Sequence, residues 1–158
     1  MKHMILGAMV AAGMMAGAGV AVSGEAEDKA IKARQAVMQL YAFNLGKLGA
    51  MVKGEMEYNA DQAKMAADNL VKAASISQDA MWPEGTAIED AGMEGKSWAK
   101  KDAWTTYPEV ANKHKDLQAA AAKMADAAGG GLDAIKGAIG GVGGSCKGCH
   151  EKFRAPRK

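Results

Sequence analysis

Gly141-Val142-Gly143-Gly144-Ser145-Cys146-Lys147-Gly148-Cys149-His150-Glu151-Lys152-Phe153 closes a run with one clear period. Leu132, Ile135, Ile139, Val142, Cys146, Cys149 and Phe153 recur at alternating steps of three and four, the spacing of one face of a helix. Glycines at 137, 140, 141, 143 and 144 weaken that helix by up to ~1 kcal/mol each relative to alanine. They suggest a close approach of the backbone to something flat.

The same period appears three more times upstream. In the first segment Arg34, Met38, Tyr41, Leu45, Leu48 and Val52 share a face, a second apolar line runs through Val37, Leu40 and Phe43, and Gly54 ends the run. Asn59 with Gln62 three residues on caps a second helix, which carries Ala63, Ala67, Leu70 and Ala74 and fades near Ser77. A third shows Val110, His114, Leu117, Ala121, Met124 and Ala128 before Gly129-Gly130-Gly131. Residues 79–103 hold Pro83, Gly85, Gly92 and Gly95 and read as a long loop, which in a compact domain usually has a task. No segment alternates as a strand does. The expected fold is all-α, an antiparallel four-helix bundle.

Composition limits what such a bundle does. In 158 residues there is room for one domain, and 49% hydrophobic side chains suffice for a core. Only 5% are aromatic, so this core packs thinly unless its helices sit close or a bulky cofactor fills the middle. Twenty basic against eighteen acidic residues, with no long run of one sign, argue against a nucleic-acid partner. At the N-terminus, Lys2 and His3 precede an uncharged stretch from Met4 to Val22 that ends in small residues. This is the pattern of a secretory signal peptide, with a membrane anchor as the alternative. Cleavage falls between Ala21 and Ala26, giving residues 1–24 as signal and 25–158 as the mature domain. The expected location is outside the cytoplasm, with no membrane attachment after cleavage.

Cys146-Lys147-Gly148-Cys149-His150 is the attachment pattern of a c-type haem. Two thiols a helical turn apart can add to the two vinyl groups of one porphyrin edge, and the next histidine is carried under the iron as axial ligand. A thioredoxin-like redox pair would need a strand–helix context that this chain lacks. A zinc site needs four ligands, and only His114 remains outside the signal and the motif. An inert cysteine pair in a haem-free bundle is the remaining reading. Export agrees with one covalent haem c, because that group is attached outside the cytoplasm. No Ser/His/Asp set, carboxylate pair or phosphate-binding loop marks an enzyme.

At these residues the chain resembles the class II c-type cytochromes, the cytochrome c′ group, whose haem motif lies near the C-terminus of a four-helix bundle. Glu151-Lys152-Phe153-Arg154 after the motif is similar to the family's ending. So are Arg34-Gln35-Ala36-Val37-Met38, Gly46-Lys47, Lys53-Gly54-Glu55 and Tyr58-Asn59 to its first helix and turn. Trp82-Pro83-Glu84-Gly85-Thr86 looks like its haem-side loop, and Asp102-Ala103-Trp104 like the start of its third helix. The likeness spans about residues 28–157.

The resemblance implies thioethers at Cys146 and Cys149, His150 as fifth iron ligand, and Met38 over the open side of the iron. It also implies Arg34 beside a haem propionate, Arg154 on the proximal side and Trp82 against the haem face. Each of the last three has a plain alternative: a solvated helix arginine, a cation at a helix C-terminus, and a loop tryptophan closing the core. Met38 either ligates the iron, as in low-spin members, or plugs the site without bonding. Two functions follow. One is a periplasmic one-electron carrier, with Lys147, Lys152, Arg154, Arg157 and Lys158 available to steer an acidic redox partner or merely solvating a helix end. The other is a high-spin protein that binds nitric oxide or carbon monoxide. The spare apolar residues Val37, Leu40 and Phe43 suggest a homodimer, as the family often forms.

Overall fold

The computed structural model describes residues 20–156. Helix α1 spans Val20–Lys53, α2 Ala60–Ala74, α3 Asp102–Thr105, α4 Glu109–Ala127 and α5 Leu132–Phe153. A 3-10 turn at Asp79–Met81 opens the long connection between α2 and α3. Among the described residues there is no strand, only an isolated bridge between Ala99 and Arg154. The four long helices form the expected bundle. No helix of the described residues is long and apolar enough to cross a membrane. Most of the segment read as a signal peptide, residues 1–19, lies outside the described residues. α1 runs from Val20 through the expected cleavage region.

Local chemistry accounts for the ends. The Asn59 side chain accepts a hydrogen bond from Gln62 N (2.9 Å), the cap that its position suggests. Gly54 follows α1 at φ 74°, a conformation that costs glycine nothing and strains an L side chain. Pro108 has no N–H and stands before α4, so Asp102-Ala103-Trp104 forms a short separate helix rather than the start of the third long one. That corrects the sequence reading.

Cross-helix contacts set the register. Tyr41 Oη donates to Ala73 O (3.2 Å), and Asn69 Nδ2 donates to Asn44 Oδ1 (3.4 Å), pairing α1 with α2. Gln118 Nε2 donates to Ala74 O (2.8 Å), pairing α2 with α4. Between α4 and α5, Lys152 forms an ion pair with Glu109, and Ala120 packs level with Gly141. The core consists of Tyr41, Leu48, Met51, Leu70, Leu117, Met124, Ile135 and Val142 with interleaved alanines. Alanines at the helix contacts let the backbones approach, which is how so few rings suffice. Val37 belongs to this core at 5% exposure and is not spare surface. Only Leu40 and Phe43 of that line remain outside, at 47% and 63%.

Candidate haem site

Cys146 and Cys149 stand in α5, both free and half-buried. Val142 on the same face is fully buried, so the helix turns its motif side partly toward the bundle. Cys146 packs against the main core. Burial pushes the Cys146 thiol up from its ordinary range. Burial first, and the neighbouring Cys146 second, do the same to Cys149, with the Lys113 ammonium opposing. Burial therefore favours the protonated form of both thiols. His150 follows in the last turn, half-buried, and lines an open groove of about 370 Å³ with Lys100, Lys147, Glu151, Arg154, Ala155 and Pro156.

Arg34 occupies the same end of the bundle and is 4% exposed. One terminal nitrogen donates to Thr86 Oγ1 (2.8 Å) and Met81 O (3.3 Å). The other donates to Thr86 O (2.9 Å) and Ser97 Oγ (2.8 Å). Its guanidinium carbon lies 4.7 Å from the ring centre of Trp82 and 5.8 Å from that of Trp104. These partners are all neutral, and desolvation lowers its pKa to about 10. Arg34 is thus no solvated helix arginine. Trp82 is stacked on it, with its indole N–H toward Gln78 Oε1 (3.4 Å) and its carbonyl accepting from Trp104 Nε1 (3.1 Å).

Met38 lies one turn after Arg34 and is 36% exposed. Arg154 is exposed and caps α5, its N–H donating to His150 O (3.1 Å). His114 is half-buried, and its Nε2 is the one buried side-chain polar atom without a hydrogen-bond partner among the described residues. Ser97, bonded to Arg34, adjoins the 98–100 segment that pairs with the end of α5, so Arg34 and the motif share one end of the bundle, and Met38 follows Arg34 by one turn on α1. Thr86 and Ser97 had no assigned role in the sequence. Thr86 sat within a quoted loop motif, but Ser97 gave no local sign.

The chain's residues fit a covalent haem. Two free thiols sit a turn apart beside a histidine, and the buried Arg34 cation, with only neutral partners, is suited to a carboxylate. The glycines of α5 fit as well. An added Cβ at Gly137, Gly140, Gly143 or Gly144 would meet nothing within 4 Å, so packing within this chain does not require them.

Comparison with known proteins decides the family. The family model described as Cytochrome C' matches residues 29–154. The chain belongs to the cytochrome c′ family. It is 39% identical over 127 residues to a cytochrome c-554 of Cereibacter sphaeroides, covering 80% of this chain and 93% of that one. The solved cytochrome c′ from Rhodobacter Spheriodes superimposes with a TM-score of 0.78 at 34% identity, covering 83% of this chain and 98% of the other. Another cytochrome c′ structure, described with a ligand-controlled dimer dissociation, gives 0.73 at 33% identity, covering 82% and 97%. A nitric oxide complex of a mutant cytochrome c prime from Alcaligenes xylosoxidans gives 0.70 at 30%, covering 83% and 97%. Covalent haem c is the cofactor of this cytochrome c′, and electron carriage or gas binding is its field of activity.

Proposed function

We propose that this cytochrome c′ is an exported, periplasmic one-electron carrier rather than an enzyme. Cys146 and Cys149 form the thioethers, His150 is the axial ligand and Met38 lies on the opposite side. The observation that carries this is the single turn of α5 that holds both thiols and the histidine beside an open groove. Haem c, once attached, supplies a one-electron couple. The protein's part is to hold that couple at an accessible end of the bundle. Arg34, already buried without an anionic partner, offers its charge to a propionate and keeps Trp82 in place.

Gas binding is the second reading, favoured by the nitric oxide complex described for the similar Alcaligenes xylosoxidans protein. A thioether at Met38 that plugs the site without bonding would leave the iron open to such a ligand. The test is the absorption spectrum of the dithionite-reduced, haem-matured protein before and after carbon monoxide. A low-spin spectrum that is unchanged by carbon monoxide, and becomes responsive in Met38→Ala, supports methionine ligation and the carrier. A high-spin spectrum that shifts on adding the gas makes Met38 a plug and gas binding the function.

A homodimer through α1 belongs to the same proposal, with Leu40 and Phe43 as its apolar contact. Cleavage near residue 24 is checked by the N-terminal sequence and mass of the exported protein.

A further inference from the structure

Charge is unevenly distributed along this chain. Residues 147–158 hold five basic side chains and one acidic, while the other 146 residues hold fifteen basic and seventeen acidic. Along the sequence, the positive excess therefore lies with the attachment motif. Folding then sorts these cations. Lys152 is engaged by Glu109 of α4, and Lys147 lies 3.6 Å from Glu151. Lys100, distant in sequence, is brought to the same rim. Its backbone N–H donates to Phe153 O (2.8 Å), and Ala155 N donates to Trp98 O (2.8 Å), so residues 98–100 run as a strip beside the end of α5.

The result is a groove of about 370 Å³ with Lys100, Lys147 and Arg154 on its walls, Glu151 as its one carboxylate, and His150, Ala155 and Pro156 completing it. Among the described residues, no carboxylate lies within ion-pair distance of Lys100 or Arg154. Lys101, next to Lys100, is turned to Asp90 (3.7 Å), which keeps it out of the groove.

We infer that this groove is the docking surface for an acidic partner protein, which exchanges the electron on the His150 side of the bundle. Lys100 and Lys147 are its recognition residues, and Lys152 is not. The inference rests on the carrier reading and adds the partner's chemistry and the point of contact. A cationic rim acts mainly on encounter, so its signature is an association rate that falls with salt.

The test uses the holoprotein and two oxidants of opposite charge in stopped flow. One electron passes from the reduced protein to hexacyanoferrate(III), which becomes hexacyanoferrate(II), or to tris(phenanthroline)cobalt(III), which becomes the cobalt(II) complex. At low salt the double variant Lys100→Glu with Lys147→Glu should react about tenfold more slowly with hexacyanoferrate and faster with the cobalt complex. Lys123→Glu, near the other end of α4, should stay within about twofold of the parent. Unchanged visible and far-ultraviolet spectra establish that the variants are folded.

A labelled oligoglutamate peptide provides the second measurement, by fluorescence anisotropy. It should bind the parent and Lys123→Glu but not the double variant. Equal effects of the double variant and Lys123→Glu on both measurements would overturn the docking surface. Slow reaction with both oxidants in every protein would instead overturn the carrier reading, and the peptide would then decide the acidic-partner surface alone.

Discussion

Arg34 shows how one side chain organises this end of the molecule. A guanidinium has a rigid fork of donors, and here four hydrogen bonds from it reach residues 81, 86 and 97. Arg34→Met should therefore lower the stability of the holoprotein by about 2–4 kcal/mol, read from urea unfolding. Arg34→Lys should recover less than half of that loss, because one ammonium cannot replace two terminal nitrogens, one on Met81 O and Thr86 Oγ1 and the other on Thr86 O and Ser97 Oγ. The cysteines give a second test at this scale. Burial raises both thiol pKa values, so the thiolate fraction at pH 8.5 is smaller in the fold than in the unfolded chain. Iodoacetamide should label the haem-free chain several times more slowly in buffer than in urea. The same linkage makes the haem-free fold lose stability as pH rises from the ordinary thiol range through the raised values. Motif residues of this kind are legible in sequence because their chemistry is local. The Arg34 clamp was not, since Thr86 and Ser97 lie 52 and 63 residues away along the chain and no periodicity announces them.

At the scale of elements, α5 is the unusual helix. Gly54 needs its positive φ, so Gly54→Ala should cost about 1 kcal/mol. Gly140 sits in helical backbone with nothing within 4 Å of an added Cβ. Gly140→Ala should therefore leave the haem-free chain as stable or stabilise it by up to ~1 kcal/mol. Thermal unfolding of the two variants checks both signs. If Gly140 accommodates the haem, the holoprotein of Gly140→Ala should change its visible spectrum although the apoprotein gains stability. The long helices were legible because each buries one stripe at a period of 3.6. Val37 was misplaced because α1 buries more than one row, and the row that counts is set by α2 and α5. The short α3 was joined to α4 in the sequence reading because the likeness of Asp102-Ala103-Trp104 to the start of the family's third helix takes no account of Pro108 six residues later.

For the whole molecule the exposed pair Leu40 and Phe43 carries the assembly prediction. Phe43→Glu should shift the protein to monomer in sedimentation equilibrium at micromolar concentration and leave the visible spectrum unchanged. A parent protein that is already monomeric there would remove the dimer from the proposal. Fold and cofactor followed from patterns that neighbouring residues carry. Docking surface and clamp arise from chain segments that meet only after folding.

The strip at 98–100 has one more consequence. It fastens the end of the long loop to the last turn of α5, while Arg34 and its two indoles fasten the same loop to α1. The loop that carries Trp82, Thr86 and Ser97 is thereby anchored at both ends. When the charge inside changes by one unit, the loop's dipoles have little freedom to turn. For the proposed electron carrier, such a frame favours a small reorganisation energy, which would leave the rate of exchange to how often partners meet rather than to how far the protein must relax.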